Sequence, residues 1–205
     1  MVWKVYFYIP NLIGYTRIIL SLICFQWAFS NYLLCAALYF TSFILDAIDG
    51  HVARALNQTS QLGAVLDMIT DRFSTTILCV VLAMMYRPYL TIFNFLIALD
   101  ISSHYFHMYS ALLIQRKSHK DVDETKNPLL RIYYKSRKVM GVLCFGNEAF
   151  FVALYIYHFN KHLLVEYAVL AAFLPMFFKQ LMNLIQLISA CQTLVKVDMK
   201  MIKSF

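Results

Sequence analysis

The sequence predicts an all-α, polytopic membrane protein with six transmembrane helices. Of its 205 residues 61% are apolar and only 14% are charged, whereas a soluble domain carries about 25% charged residues. The apolar residues gather in runs that approach or exceed the ~20 needed to cross a bilayer as a helix. Short polar turns and one long basic connection separate these runs. A soluble helical core of this length fits the composition less well.

The six spans follow in order: Asn11–Phe29, Tyr32–Arg54, Leu62–Tyr86, Tyr89–Ile114, Val139–Phe159 and Leu163–Val195. Pro10 suits the start of the first helix, where its missing N–H costs nothing. The polar stretch "ALNQTSQ" turns the second span back into the third, so those two are expected to be antiparallel neighbours. Arg87-Pro88 and "HFNKH" (158–162) mark further tight turns, and the sixth span is long enough to tilt or to project beyond the bilayer. The long connection 115–138 ends in "NPLLRIYYKSRK". This reads as a short amphipathic helix at the membrane surface with Leu129, Leu130, Ile132 and Tyr133 toward lipid, or simply as a basic anchor. One integral membrane domain, 1–205, is expected, with the first helix retained as its own targeting signal.

The net charge of +7 does not point to nucleic acid, because the basic residues flank apolar helices. With both termini cytoplasmic, that side holds Lys4, Arg54, the cluster at 116–138 and Lys196, Lys200 and Lys203. The opposite side holds Arg87 and Lys161. This asymmetry sets the topology by the positive-inside rule. Five dispersed cysteines with no CxxC pair argue against a disulfide framework or a zinc site and read as small apolar packing residues.

Against this background "ILDAIDGHVARALNQTSQLGAVLDMITDR" (44–72) stands out, because it places four aspartates at the cytoplasmic edge of the membrane. Asp46 and Asp49 are three residues apart and Asp67 and Asp71 four apart, so each pair projects from one helix face. If the two helices meet, four carboxylates face one another, and each bears both repulsion and desolvation. Hard divalent cations relieve both, and an all-oxygen donor set without His or Cys suits Mg²⁺, Mn²⁺ or Ca²⁺. Gly50, Ala53 and Gly63 leave room for a ligand or for close helix packing. Arg54 offers a forked set of donors to phosphate or carboxylate, and Ser60 lies in the turn within reach of a nucleotide. Isolated membrane carboxylates also serve in helix packing, ion pairs or proton paths, but those roles account for one or two of these charges each.

The pattern Asp46-x₂-Asp49-Gly50-x₂-Ala53-Arg54-x₈-Gly63-x₃-Asp67-x₃-Asp71 matches the motif of the CDP-alcohol phosphotransferases at every fixed position, and the chain resembles that family. "PNLIGYTRI", "DGHVARALNQ", "LDMITDR", "SHYFH", "NPLLRIYY" and "GNE" extend the resemblance, over nearly the whole chain, to its eukaryotic phosphatidylinositol synthase branch. The resemblance implies the CDP-alcohol phosphotransferase fold, a homodimer, and an endoplasmic reticulum membrane location. It also implies transfer of a phosphatidyl group from CDP-diacylglycerol to myo-inositol with release of CMP, dependent on Mg²⁺ or Mn²⁺. Carried over by motif position, Asp46, Asp49 and Asp67 are metal ligands, and Asp71 is the general base and a further ligand. Gly50, Arg54 and Ser60 then hold the CDP-diacylglycerol.

The acceptor site is read from polar residues elsewhere. Arg131 and Arg137 in the basic segment are its candidates. Asp100, His104 and His107, on one face of the fourth helix, and Asn147 and Glu148, interrupting the fifth, also draw attention. Taken singly, packing or interface anchoring accounts for each of these as well. Other acceptors of the same family, phosphorylated or not, are the nearest alternative. An ion or proton transporter is the alternative of a different class, and it calls for carboxylates spread through the membrane depth rather than crowded at one face.

Overall fold

The computed structural model describes residues 2–117 and 128–202, so 118–127 of the basic connection, and Lys203 in the tail, lie outside the described residues. A short 3₁₀ segment, Val2–Phe7, leads into seven α-helices: α1 (Ile9–Gln26), α2 (Tyr32–Ala55), α3 (Gln61–Met85), α4 (Leu90–Lys117), α5 (Pro128–Lys135), α6 (Arg137–Phe159) and α7 (Leu163–Ile202). Among the described residues there is no strand. Six of the helices coincide with the expected spans to within a few residues, except that α7 runs seven residues further.

Five helices, α1, α2, α3, α6 and α7, are long and apolar enough to cross a membrane. The sixth, α4, has 28 residues, ample length at about 1.5 Å per residue, but its middle carries Asp100, Ser102, Ser103, His104 and His107. The 40 residues of α7 amount to about 60 Å, roughly twice a bilayer core, so this helix extends into the aqueous phase. Pro175 lies inside it, and Gly146 of α6 faces that ring so closely that a Cβ would collide with it.

Local chemistry sets the helix ends. Asn31 caps α2 by accepting from Leu34 N at 3.1 Å, and Ser60 caps α3 by accepting from Gly63 N at 2.9 Å. Asn57 closes α2 with a left-handed φ of 54°, a conformation that asparagine tolerates better than most residues. Ile9 N donates to Gln58 Oε1 at 2.8 Å. That bond ties the start of α1 to the α2–α3 turn, placing them at one end of the bundle as the charge asymmetry requires.

Packing divides the molecule into two halves. At the end away from Gln58, Cys24, Cys35, Tyr39, Leu78, Leu82, Phe151 and Tyr155 form a continuous apolar core, and Tyr155 Oη donates to Ala28 O at 2.7 Å. All five cysteines are free, and the Cys24 and Cys35 sulfurs pack together inside that core. Large apolar side chains on the outer faces, among them Ile19, Leu22, Phe95 and Phe177, are exposed, as a surface meeting lipid should be.

Two expectations are corrected. First, the backbones of α2 and α3 are not close neighbours: α1 packs against both, and the two helices meet through side chains. The aspartate side chains still meet across the gap, and α1 brings a cation that offsets their repulsion. Second, α5 does not turn its apolar face to lipid. Leu130 and Tyr133 are buried and Ile132 is exposed, because α5 docks on α6 and α7; the side chain of Leu129 lies outside the described residues. Tyr133 Oη reaches Cys144 Sγ at 3.6 Å.

Candidate active site

The four aspartates converge as their spacings require, but on a residue that the spacings do not show. Arg17, in the middle of α1 and almost wholly buried, places its guanidinium at the centre of the cluster. Its Nη2 lies 2.6 Å from Asp46 Oδ1 and donates to Asp71 Oδ1 at 2.6 Å. Its Nη1 donates to Asp67 Oδ1 at 3.1 Å and to Asp49 Oδ2 at 3.3 Å. The planar fork lets one side chain bridge carboxylates from two helices. Beside it a hydrogen bond of 2.8 Å between Ser21 and Ser74 pins α1 to α3.

Carboxylate oxygens of Asp46, Asp49 and Asp67 lie within 4.8 Å of one another. All are hard donors, and Asp67 is half exposed to solvent, so an ion has an entry path. Hard cations of the Mg²⁺ type bind oxygen at about 2.0–2.1 Å. Three oxygens around such an ion therefore lie at most about 4.2 Å apart, and a modest closing of these side chains suffices. The residues fit a divalent cation. Asp71 stands outside this triad, paired with Arg17 and 3.8 Å from Arg72 Nη2.

The cluster forms the wall between two cavities. The outer one is lined by Asp49 and Asp67 together with Gly50, Ala53, Arg54, Ser60, Gly63, Pro10 and Asn11. Gly63 is needed here for close approach: a Cβ on it would stand 2.7 Å from Asn11 Oδ1 and 3.1 Å from Ser60 Oγ. Asn11 is fully buried and its Nδ2 donates to Val5 O at 2.6 Å, while its Oδ1 has no partner. The Arg54 guanidinium lies back over Gly50, where even an added Cβ would make only ordinary contact with it at 3.5 Å. Ser60 both caps α3 and borders the cavity.

The inner cavity is lined by Asp46 and Asp71 and by Arg72, Asp100, Asn147, Glu148 and Lys179, among others. Its walls form a connected network. Glu148 accepts from Tyr39 Oη at 2.5 Å, Thr75 Oγ1 at 3.0 Å and Asn147 Nδ2 at 3.2 Å. Gln180 Nε2 donates to Asn147 Oδ1 at 2.8 Å. Asp100 Oδ1 accepts from Arg72 at 3.2 Å and from Asn183 at 3.3 Å, and its Oδ2 is buried without a partner. Lys179 Nζ donates to Asn183 Oδ1 at 2.5 Å. The space thus offers both donors and acceptors at membrane depth, the lining that a small neutral ligand rich in hydroxyls needs.

Of the acceptor candidates, Asp100, Asn147 and Glu148 line this inner cavity, and His104 adjoins it through a hydrogen bond from Arg72. His107 instead stacks on Tyr134 at a centroid distance of 5.5 Å. Arg131 is exposed on α5 and lines neither cavity. Arg137 opens α6, and its side chain lies outside the described residues. Sequence reasoning missed Arg17, Asn11, Arg72 and Lys179. For Arg17 a signal existed: a single arginine in an apolar helix is costly unless a carboxylate meets it, and the aspartate cluster offers four.

Comparison with known proteins agrees with this architecture. Residues 7–189 match the family model for CDP-alcohol phosphatidyltransferase. The chain is 43% identical over 198 residues to the CDP-diacylglycerol--inositol 3-phosphatidyltransferase of Candida albicans, covering 96% of this chain and 86% of that protein. It is 44% identical over 162 residues to the human protein of the same name, covering 79% and 76% respectively. An Arabidopsis thaliana relative described as a probable CDP-diacylglycerol--inositol 3-phosphatidyltransferase is 48% identical over 158 residues, covering 77% and 70%. No solved structure matches. With the motif, the helical architecture and the family match over most of its length in agreement, the chain belongs to the CDP-alcohol phosphatidyltransferase family.

Proposed function

We propose that this protein transfers the phosphatidyl group of CDP-diacylglycerol to myo-inositol, giving phosphatidylinositol and CMP. The observation that carries this reading is the pair of cavities on either side of one acidic cluster. A two-substrate transfer needs a donor site and an acceptor site that meet only where the reacting atoms meet. The names of the relatives support CDP-diacylglycerol and inositol as the substrates.

In this reading the outer cavity takes the nucleotide end of the donor while the acyl chains stay in lipid. Arg54 swings off Gly50 to pair with phosphate, and Ser60 and Asn11 contact the nucleotide. Asp46, Asp49 and Asp67, with Asp71 as a further ligand, hold Mg²⁺ or Mn²⁺. Such an ion, when bound, neutralises charge developing on the pyrophosphate oxygens. Myo-inositol occupies the inner cavity, its hydroxyls matched by Asn147, Lys179 and the free Oδ2 of Asp100.

Asp71 borders the inner cavity and acts as general base, accepting the proton of the attacking inositol hydroxyl. That oxygen forms a new bond to the β-phosphorus while the bond from this phosphorus to the CMP oxygen breaks. CMP leaves through the outer cavity. We place the reaction at the cytoplasmic face of the endoplasmic reticulum membrane, following the charge asymmetry, in a homodimer.

The test is CMP release by purified protein supplied with CDP-diacylglycerol and Mg²⁺ or Mn²⁺, with and without myo-inositol, alongside mass spectrometry of the lipid. Release that depends on inositol and is matched by phosphatidylinositol is expected. Release supported only by another alcohol refutes the acceptor assignment.

A further inference from the structure

The strongest unexplained feature is Arg17. Its side chain is 4% exposed and contacts all four aspartates at 2.6 to 3.3 Å, while its Nε has no partner. Neither half of this arrangement is tolerable alone. A buried guanidinium without carboxylates is an uncompensated charge, and four crowded carboxylates without a cation repel. With all five groups ionised the guanidinium leaves a net charge of −3 rather than −4. The same three aspartates that can hold a divalent ion already hold Arg17.

We propose that Arg17 is a resident counter-cation that keeps the acidic cluster assembled before metal arrives, and that a divalent cation displaces it. Arg17 already occupies one oxygen of each of Asp46, Asp49 and Asp67, and an ion that draws these carboxylates together competes with the guanidinium for them. Arg17 also lines the inner cavity, which gives the displaced side chain a place to go next to the reacting centre. Metal and arginine are then two ligands of one site, linked by competition. The function of Arg17 is to preorganise the carboxylates and to keep metal binding reversible. The inference rests on the metal-dependent reading of the cluster, but its test measures binding and stability rather than turnover.

Two measurements decide it, both on the full-length protein in lipid nanodiscs. The first compares wild type with Arg17→Gln and Arg17→Lys, by thermal unfolding in chelator and by Mn²⁺ titration with electron paramagnetic resonance. Arg17→Gln is expected to melt earlier than wild type in chelator yet to bind Mn²⁺ about tenfold more tightly, a common size for coupling between two ligands. Arg17→Lys, a point charge without a fork, should fall between. Mn²⁺ binding by Arg17→Gln that is equal to or weaker than wild type overturns the proposal and makes Arg17 a support of the metal site.

The second measurement uses wild type only, so it stands if the variants do not fold. Phenylglyoxal labelling read by mass spectrometry should leave Arg17 unmodified in chelator and modify it at saturating Mn²⁺. Equal protection in both states overturns displacement. Absence of Mn²⁺ binding in wild type would instead refute the metal reading beneath it.

Discussion

At saturating metal, replacing Asp71 by asparagine separates chemistry from donor binding, because Asp46, Asp49 and Asp67 still hold the ion and Asp71 lines the inner cavity but not the outer one. It borders the inner cavity with Asp46, whereas Asp49 and Asp67 border the outer one. Asparagine keeps the shape and loses the basicity. General-base assistance is worth roughly 10²- to 10⁴-fold, or about 3–5 kcal/mol of barrier. Stability should change far less. The side chain is 35% exposed, its buried partner Arg17 keeps three other carboxylates, and removing one carboxylate also relieves repulsion among the rest. The assay is steady-state CMP release with each substrate varied in turn. The account predicts kcat lowered by at least about a hundredfold, KM for CDP-diacylglycerol within about twofold of wild type, and a change in stability well below the rise in barrier. Retention of more than a tenth of wild-type kcat would refute the assignment of Asp71 as base. Loss of donor binding in proportion to rate would refute the division between the cavities.

Other parts of the structure make separate demands. Gly63→Ala puts a Cβ 2.7 Å from Asn11 Oδ1. Overpacking costs about 1–3 kcal/mol, partly offset by about 1 kcal/mol of helix propensity. The net cost is about 0–2 kcal/mol, so a raised KM for CDP-diacylglycerol is expected with a melting temperature lowered by no more than about 8 °C. Glu148→Ala strands three donors, from Tyr39, Thr75 and Asn147. Hydrogen bonds within membranes average about 0.6 kcal/mol and reach about 1.7 kcal/mol, so a stability loss of about 2–4 kcal/mol is expected in thermal unfolding, with Glu148→Gln milder. Chelation should abolish CMP release, and Mg²⁺ or Mn²⁺ should restore it. Activity persisting after exhaustive chelation would remove the metal from the account.

Much of this was legible in residues close together in sequence. The spacings of Asp46 with Asp49 and of Asp67 with Asp71 fix which way the carboxylates point, since a helix repeats every 3.6 residues. Ser60 and Asn57 likewise mark the turn between α2 and α3. What failed was the step from local to long-range. The short turn suggested that α2 and α3 pack as close neighbours, but a turn of this kind fixes chain direction and not the packing partner. Here α1 packs against both. Arg17 escaped notice because its partners lie 29 to 54 positions away, beyond any periodicity. The acceptor candidates divided for a related reason. Arg131 drew attention through charge, yet the inner cavity is built from residues of α1, α2, α3, α4, α6 and α7 that meet only in the fold. The polar residues of α4 and α6 identified those helices as unusual without saying which of their side chains share a space.

The claim that most needs testing is that one acidic cluster serves two separate cavities, and a crossed pair of variants tests it directly. Arg54→Ala alters the outer cavity and Asn147→Ala the inner one. Measured in the same assay, the account predicts that Arg54→Ala raises KM for CDP-diacylglycerol and leaves KM for inositol unchanged, while Asn147→Ala does the reverse. If both variants raise KM for the same substrate, the two cavities do not divide donor from acceptor, and the account is wrong.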